Sequence, residues 1–178
     1  MAVYVALLRG INVGGNILKM DRLRGIWSEM GFSNVQTYLQ SGNIVFDAAG
    51  APSAWREKVE QRLVGEARLP VAVIVRSAKE LGKVVVGNPF LAGGGIDESR
   101  LHVTFLEGSA TKQAFQGLHE IASGRDECRV VNKEVYLHCP EGYGRTKLSN
   151  NRLEKVLAMR ATTRNWNTVK ALHELARQ

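Results

Sequence analysis

Three features of the 178-residue sequence predict an α+β protein made of two tandem β-α-β-β-α-β halves with antiparallel sheets, plus a C-terminal helix. Short β-rich runs alternate with stretches of helical apolar period, in the same order twice. Turns rich in glycine and asparagine punctuate each half. A connector without strand-like runs, residues 77–99, lies between a first half at 1–76 and a second at 100–178.

In the first half, Val3–Arg9 reads as a strand and Gly10–Lys19 as the loop after it. Met20, Leu23, Ile26, Trp27 and Met30 mark one face of a helix that ends at Gly31, a residue suited to the left-handed C′ position. Val35–Leu39 and Ile44–Phe46 form a hairpin around Gln40-Ser41-Gly42-Asn43. A second helix runs from about Pro52 to Ala67 with Trp55, Val59 and Leu63 inward, and Val71–Arg76 closes the unit as a strand. The connector holds a helical piece near Lys79–Val86 and a loop from Asn88-Pro89-Phe90 to Gly95. The second half repeats the order: strand Leu101–Leu106, helix Thr111–Ala122, hairpin Cys128–Val131 and Val135–Cys139, helix Ser149–Leu157, strand Ala161–Thr163. A last helix, about Asn167–Arg177, turns Val169, Leu172 and Leu175 inward.

This is the ferredoxin-like order, with helices on one face of a four-stranded sheet. The first two strands of each half run the same way and the last two run the other way, so the loops after each pair share an edge. Arg9, Asn12 and Asn16 are thereby brought beside Gln40 and Asn43. In the second half, Arg145, Lys147, Ser149 and Asn150 are brought beside Arg164, Asn165 and Asn167.

Hydrophobic residues make up 44% and charged residues 23%, enough apolar content for a packed core. No apolar run approaches the ~20 residues of a membrane span. The opening MAVYVALLRG reads as a first strand and not a signal peptide, and two cysteines, Cys128 and Cys139, fit a reducing compartment; the expected location is cytoplasmic. The net charge is +7. Between 145 and 170 stand Arg145, Lys147, Arg152, Lys155, Arg160, Arg164 and Lys170 against the single acid Glu154, a surplus of six that leaves +1 for the rest of the chain. Such a run is either a solvated face or the footprint of an anionic partner.

The segments ALLRGINVGG (6–15), YLQSGNIVF (38–46), NPF (88–90), VTFL (103–106), YGRTKLSNNRLEK (143–155) and ATTRNWNTVKAL (161–172) carry a resemblance. Together they resemble the bacterial domain-of-unknown-function (DUF) 1697 family over essentially the whole chain. The resemblance implies a bacterial protein with paired ferredoxin-like halves, and it brings no established reaction, cofactor or catalytic residue. One departure is Ala158-Met159-Arg160, where a glycine is expected before the Ala-Thr-Thr segment.

No motif supplies a catalytic or metal site. Gly10-x4-Gly15-Asn16-Ile17 stands where a P-loop would, but Asn replaces the phosphate-binding Lys and Ile the magnesium-binding hydroxyl. Ser109-Ala110-Thr111-Lys112 has the S-x-x-K spacing without its companion motifs. His102, His119, His138 and His173 lack zinc-ligand spacing, so no metal or cofactor is expected. The aromatic platform of an RNA-recognition motif is missing too: Gly142-Tyr143-Gly144 matches only its middle.

The best anion candidate is the Tyr143–Asn150 stretch. Ser149 suits an N-cap, and Leu148 with Leu153 suits a hydrophobic staple. Arg145 and Lys147 put positive charge where a helix N-terminus already carries it, which favours a bound phosphate or carboxylate. The leading reading is a phosphate-bearing small molecule or nucleotide held by Arg145, Lys147 and Arg164, with Arg9, Asn12, Asn16, Gln40 and Asn43 as a second cluster. The alternatives are a nucleic-acid or ribonucleoprotein binding module using the basic stretch, and an enzyme whose nucleophile and base the sequence does not name. Trp166 either stacks on a base or sugar or packs the last helix down.

Overall fold

A computed structural model describes residues 1–12, 17–68, 70–122 and 124–178. The chain divides into two compact units, one of Met1–Gly82 with Leu172–Gln178 and one of Lys83–Ala171. Residues 172–178 thus belong to the first unit, although element order alone assigns them to the second half.

The first unit runs β1 (Ala2–Arg9), α1 (Met20–Glu29), β2 (Ser33–Tyr38), β3 (Asn43–Ala48), α2 (Arg56–Ala67) and β4 (Ala72–Ser77), followed by the start of α3 (Ala78–Val86). Its sheet order is β2-β3-β1-β4, with antiparallel neighbours. Tyr4, Ala6 and Leu8 alternate toward the helices and meet Ile44 and Phe46, Leu23, Ile26 and Trp27 of α1, and Val59 and Leu63 of α2 in one buried cluster. Five rings thicken it: Phe32 lies edge-on to Phe46 at 4.9 Å and to Trp55 at 5.2 Å, with Tyr4 and Trp27 alongside. Edge-to-face pairs of this kind add to the free energy of burial itself. The strand expected to reach Leu39 stops at Tyr38, because Leu39 takes a left-handed φ of +57° to start the turn.

The second unit continues α3 and contains β5 (Leu101–Leu106), α4 (Lys112–Ile121), β6 (Glu127–Val131), β7 (Glu134–His138), α5 (Asn150–Leu157) and β8 (Ala161–Asn165), then enters α6 (Trp166–Leu175). The sheet order β6-β7-β5-β8 repeats the permutation of the first, so both units are ferredoxin-like. Leu106, Val135, Leu137, Cys139 and Ala161 pack against Leu118 of α4 and Leu153 and Leu157 of α5. Helices α4 and α5 approach closely at Gly117, where an added Cβ would lie 2.8 Å from Val156 Cγ1. On α6 Val169 and Leu172 are fully buried, and Ala176 is buried just past its end, while Leu175, expected inward, is only half-buried. Among the described residues no helix is long and apolar enough to cross a membrane.

Helix α5 ends at Ala158, which is left-handed at φ +50°, ψ +39°. A Cβ is crowded in that region and glycine is not. Ala158→Gly is therefore expected to raise stability by about 0.5–1 kcal/mol, the relieved dihedral outweighing the entropy that glycine adds to the unfolded chain. Urea unfolding of the two proteins checks this; an unchanged or lower midpoint would show that the left-handed cap carries no strain.

Candidate functional site

In the first unit the loop after β1 and the turn after β2 do meet. Asn12, at φ +54°, donates its Nδ2 to Gln40 O at 2.7 Å and accepts from Leu18 N at 2.7 Å. Leu8 N donates to Gly42 O at 2.9 Å, which fastens strand to turn. Asn43 is fully buried and donates Nδ2 to Tyr38 O at 2.8 Å and to Ser41 Oγ at 2.9 Å. The two asparagines are thus engaged in holding the turns. Arg9 is half-buried, the Gln40 side chain is exposed, and Asn16 lies outside the described residues.

In the second unit, Tyr143–Arg145 form a single 3-10 turn that leads toward α5. The Tyr143 ring stacks on His102 of β5 at 4.7 Å, and its hydroxyl accepts from Asn150 N at 3.0 Å. Thr146 Oγ1 donates to Asp126 Oδ2 at 2.6 Å and accepts from Leu148 N. Ser149 holds the N-cap position, but its side chain makes no capping bond there; the Tyr143 hydroxyl satisfies the first helical amide instead. Asn150 ties α5 to β8: Nδ2 donates to Ala161 O at 3.0 Å, and Oδ1 accepts from Thr163 Oγ1, which stands 2.8 Å from Thr104 Oγ1. Burial holds His102 below the usual imidazole range, so it is neutral at pH 7 and adds no charge.

Arg164 does not join this group. Ala161 and Thr163 face the helices, and strand alternation turns Arg164 to the other side of the sheet. It is 8% exposed, and Nη1 donates to Thr162 Oγ1 at 2.7 Å and to Thr163 O at 2.9 Å. Asn165 Oδ1 caps α6 by accepting from Thr168 N at 2.8 Å, while Asn167 is exposed. The expected trio of Arg145, Lys147 and Arg164 is therefore reduced to Arg145 and Lys147, both exposed beside the start of α5.

The rest of the basic run separates in the same way. Arg160 grips Glu107 with two bonds, at 2.6 and 2.9 Å, and Lys170 meets Glu98 at 2.5 Å. The Lys170 contact is the main influence holding the Glu98 carboxyl below its ordinary range. Arg145, Lys147, Arg152 and Lys155 make no ion pair with any described residue. Arg152 and Lys155, three apart, stand on the exposed face of α5, whose other side buries Leu153 and Leu157.

Sequence reasoning missed two features. Arg76 is 4% exposed and pairs with Val5 across β4 and β1, as Arg164 pairs with Val103 across β8 and β5. Each arginine also donates Nη1 to the carbonyl of the residue before it. The available signal was an arginine next to last in the closing strand of both halves. The second is the Asn88-Pro89-Phe90 segment, whose Asn88 Oδ1 accepts from Phe90 N at 3.1 Å. That places the Phe90 ring 5.8 Å from His138, with the Arg129 guanidinium 5.5 Å above it.

The family described as "Protein of unknown function (DUF1697)" matches residues 1–136. Among solved structures, the chain is similar to the conserved bacterial protein SP0830 from Streptococcus pneumoniae, at 23% identity and a TM-score of 0.81, with 100% of this chain and 99% of that one covered. At that identity the likeness speaks for the fold alone. No protein of curated function matches the chain.

Proposed function

We propose, from the premise that this chain belongs to the DUF1697 family of proteins of unknown function, that its second unit binds a partner carrying several phosphates in a row, such as a nucleic-acid backbone. One observation carries this reading. The four bases of the run that have no ion pair among the described residues, Arg145, Lys147, Arg152 and Lys155, follow one another along the turn and the outward face of α5. The three with partners or deep burial are those lying elsewhere. A mononucleotide needs convergent donors in a recess. Burial of Arg164 removes the third base, and the Tyr143 hydroxyl already occupies an amide at the start of α5. An extended anion needs only the spaced, exposed charges that remain.

The test is fluorescence anisotropy with a labelled single-stranded oligonucleotide and a labelled ATP analogue between 50 and 200 mM salt. Four phosphate contacts predict a slope of log K against log salt of about −3, a loss of roughly two orders of magnitude in affinity over that range. The Arg145→Ala, Lys147→Ala, Arg152→Ala, Lys155→Ala combination should abolish binding and flatten the slope. Unchanged affinity in that variant would overturn the reading, and tighter binding of the mononucleotide would return the site to a small phosphate ligand.

A further inference from the structure

A cavity of about 520 Å³ lies in the first unit, against the sheet face opposite α1 and α2. The strand register defines its floor. Phe46 and Ala48 turn toward the helices, so Val45 and Asp47 of β3 turn the other way; Val3 stands opposite Asp47, and Gln36 opposite Val45. Leu175, the last residue of α6, and Gln178 after it supply a wall. The space is within the range of small-ligand sites, and the lining has their usual make-up: aliphatic side chains, a few amides and one charge.

That charge is the informative feature. Asp47 is half-buried, and its bond is to a neutral group, Asn34 Nδ2, which donates to Oδ2 at 2.7 Å. Among the described residues no lysine, arginine or histidine pairs with it. Several other carboxylates do hold cations: Glu29 and Glu66 hold Arg22, Glu107 holds Arg160, and Glu141 holds Arg125, whereas Asp47, like Asp126 with Thr146, has a neutral partner. A carboxylate set among valines gains little for the fold, because its partial desolvation is not repaid by a cation. It gains its counter-charge if a ligand brings one.

We propose that this cavity binds a small ammonium or amidinium compound with an apolar body. The cation sits on the Asp47 carboxylate, Gln36 and Gln178 offer amide oxygens to its remaining N–H groups, and the body rests on Val3, Val45 and Leu175. This site is separate from the basic strip and opposite to it in charge preference.

The experiment titrates the full chain with phenethylammonium and, in parallel, with the neutral 2-phenylethanol, following backbone amide shifts by NMR. Saturable shifts at Val3, Val45 and Asp47 with the amine, and at least tenfold weaker binding of the alcohol, are expected. Asp47→Asn, nearly identical in shape, should weaken the amine at least tenfold and leave the alcohol unchanged. Val45→Phe, which fills the space and keeps the charge, should weaken both. No saturable shift with the amine, equal binding of amine and alcohol, or an Asp47→Asn protein that binds the amine normally would each overturn the proposal.

Discussion

Replacing Gly42 by alanine is expected to destabilise the protein by about 2–5 kcal/mol. Two costs add. Gly42 has φ +74°, where an L-residue loses ~1–2 kcal/mol. Its Cβ would then lie 2.6 Å from Ile11 Cγ2 and 2.9 Å from Leu8 Cβ. The Leu8 atom is fixed by the backbone of β1, so relief requires the turn to lift from the strand, at ~1–3 kcal/mol. Lifting it also strains the Leu8 N to Gly42 O bond and the Asn12 bond to Gln40 O. Gly50→Ala separates the two costs, since Gly50 has φ +75° but nothing within 4 Å of an added Cβ. That variant should lose only the dihedral part. Urea unfolding of both decides it: equal losses at the two positions would mean that the contact of turn with strand is slack.

The Gly42 turn also shows what the sequence reveals and what it conceals. Element order and apolar period are local properties, and they were enough to place the Gly10 loop beside the Gln40 turn, which Asn12 bridges. Which face of a strand points to the core is legible only where apolar residues alternate. In Ala161-Thr162-Thr163-Arg164-Asn165 they do not, so nothing in those five letters said that Arg164 turns away from Asn150. Charge pairing is harder still. Glu107 and Arg160 are 53 residues apart, and Glu98 and Lys170 are 72 apart, so a count of bases along the chain cannot show which are already neutralised. Once those two pairs and the buried Arg164 are set aside, the seven bases of the run contract to the four exposed side chains from Arg145 to Lys155. Asp47 was invisible for the same reason: an aspartate in a strand carries no mark of the cavity above it.

Trp166→Ala is expected to cost about 3–5 kcal/mol, the usual range for deleting a fully buried tryptophan. Trp166 is 1% exposed and stands where β8 passes into α6 with no intervening residue, since β8 ends at Asn165 and α6 begins at Trp166. The direction change at that point has no loop to absorb it. The Asn165 cap on Thr168 N holds the first turn of the helix, and the buried indole holds the same turn against the core beside Val169. Removing the indole leaves a cavity under a junction that has no slack to collapse into it, so the upper part of the range applies. Trp166→Phe keeps most of the buried area and should cost much less. The pair also separates the two roles that the sequence left open for this residue. If Trp166 stacked on a base, Trp166→Ala would weaken oligonucleotide binding while thermal unfolding stayed near that of the parent protein. Burial predicts the reverse, a large fall in Tm with the salt-dependent affinity of the folded fraction unchanged, because the Arg145–Lys155 strip does not include it.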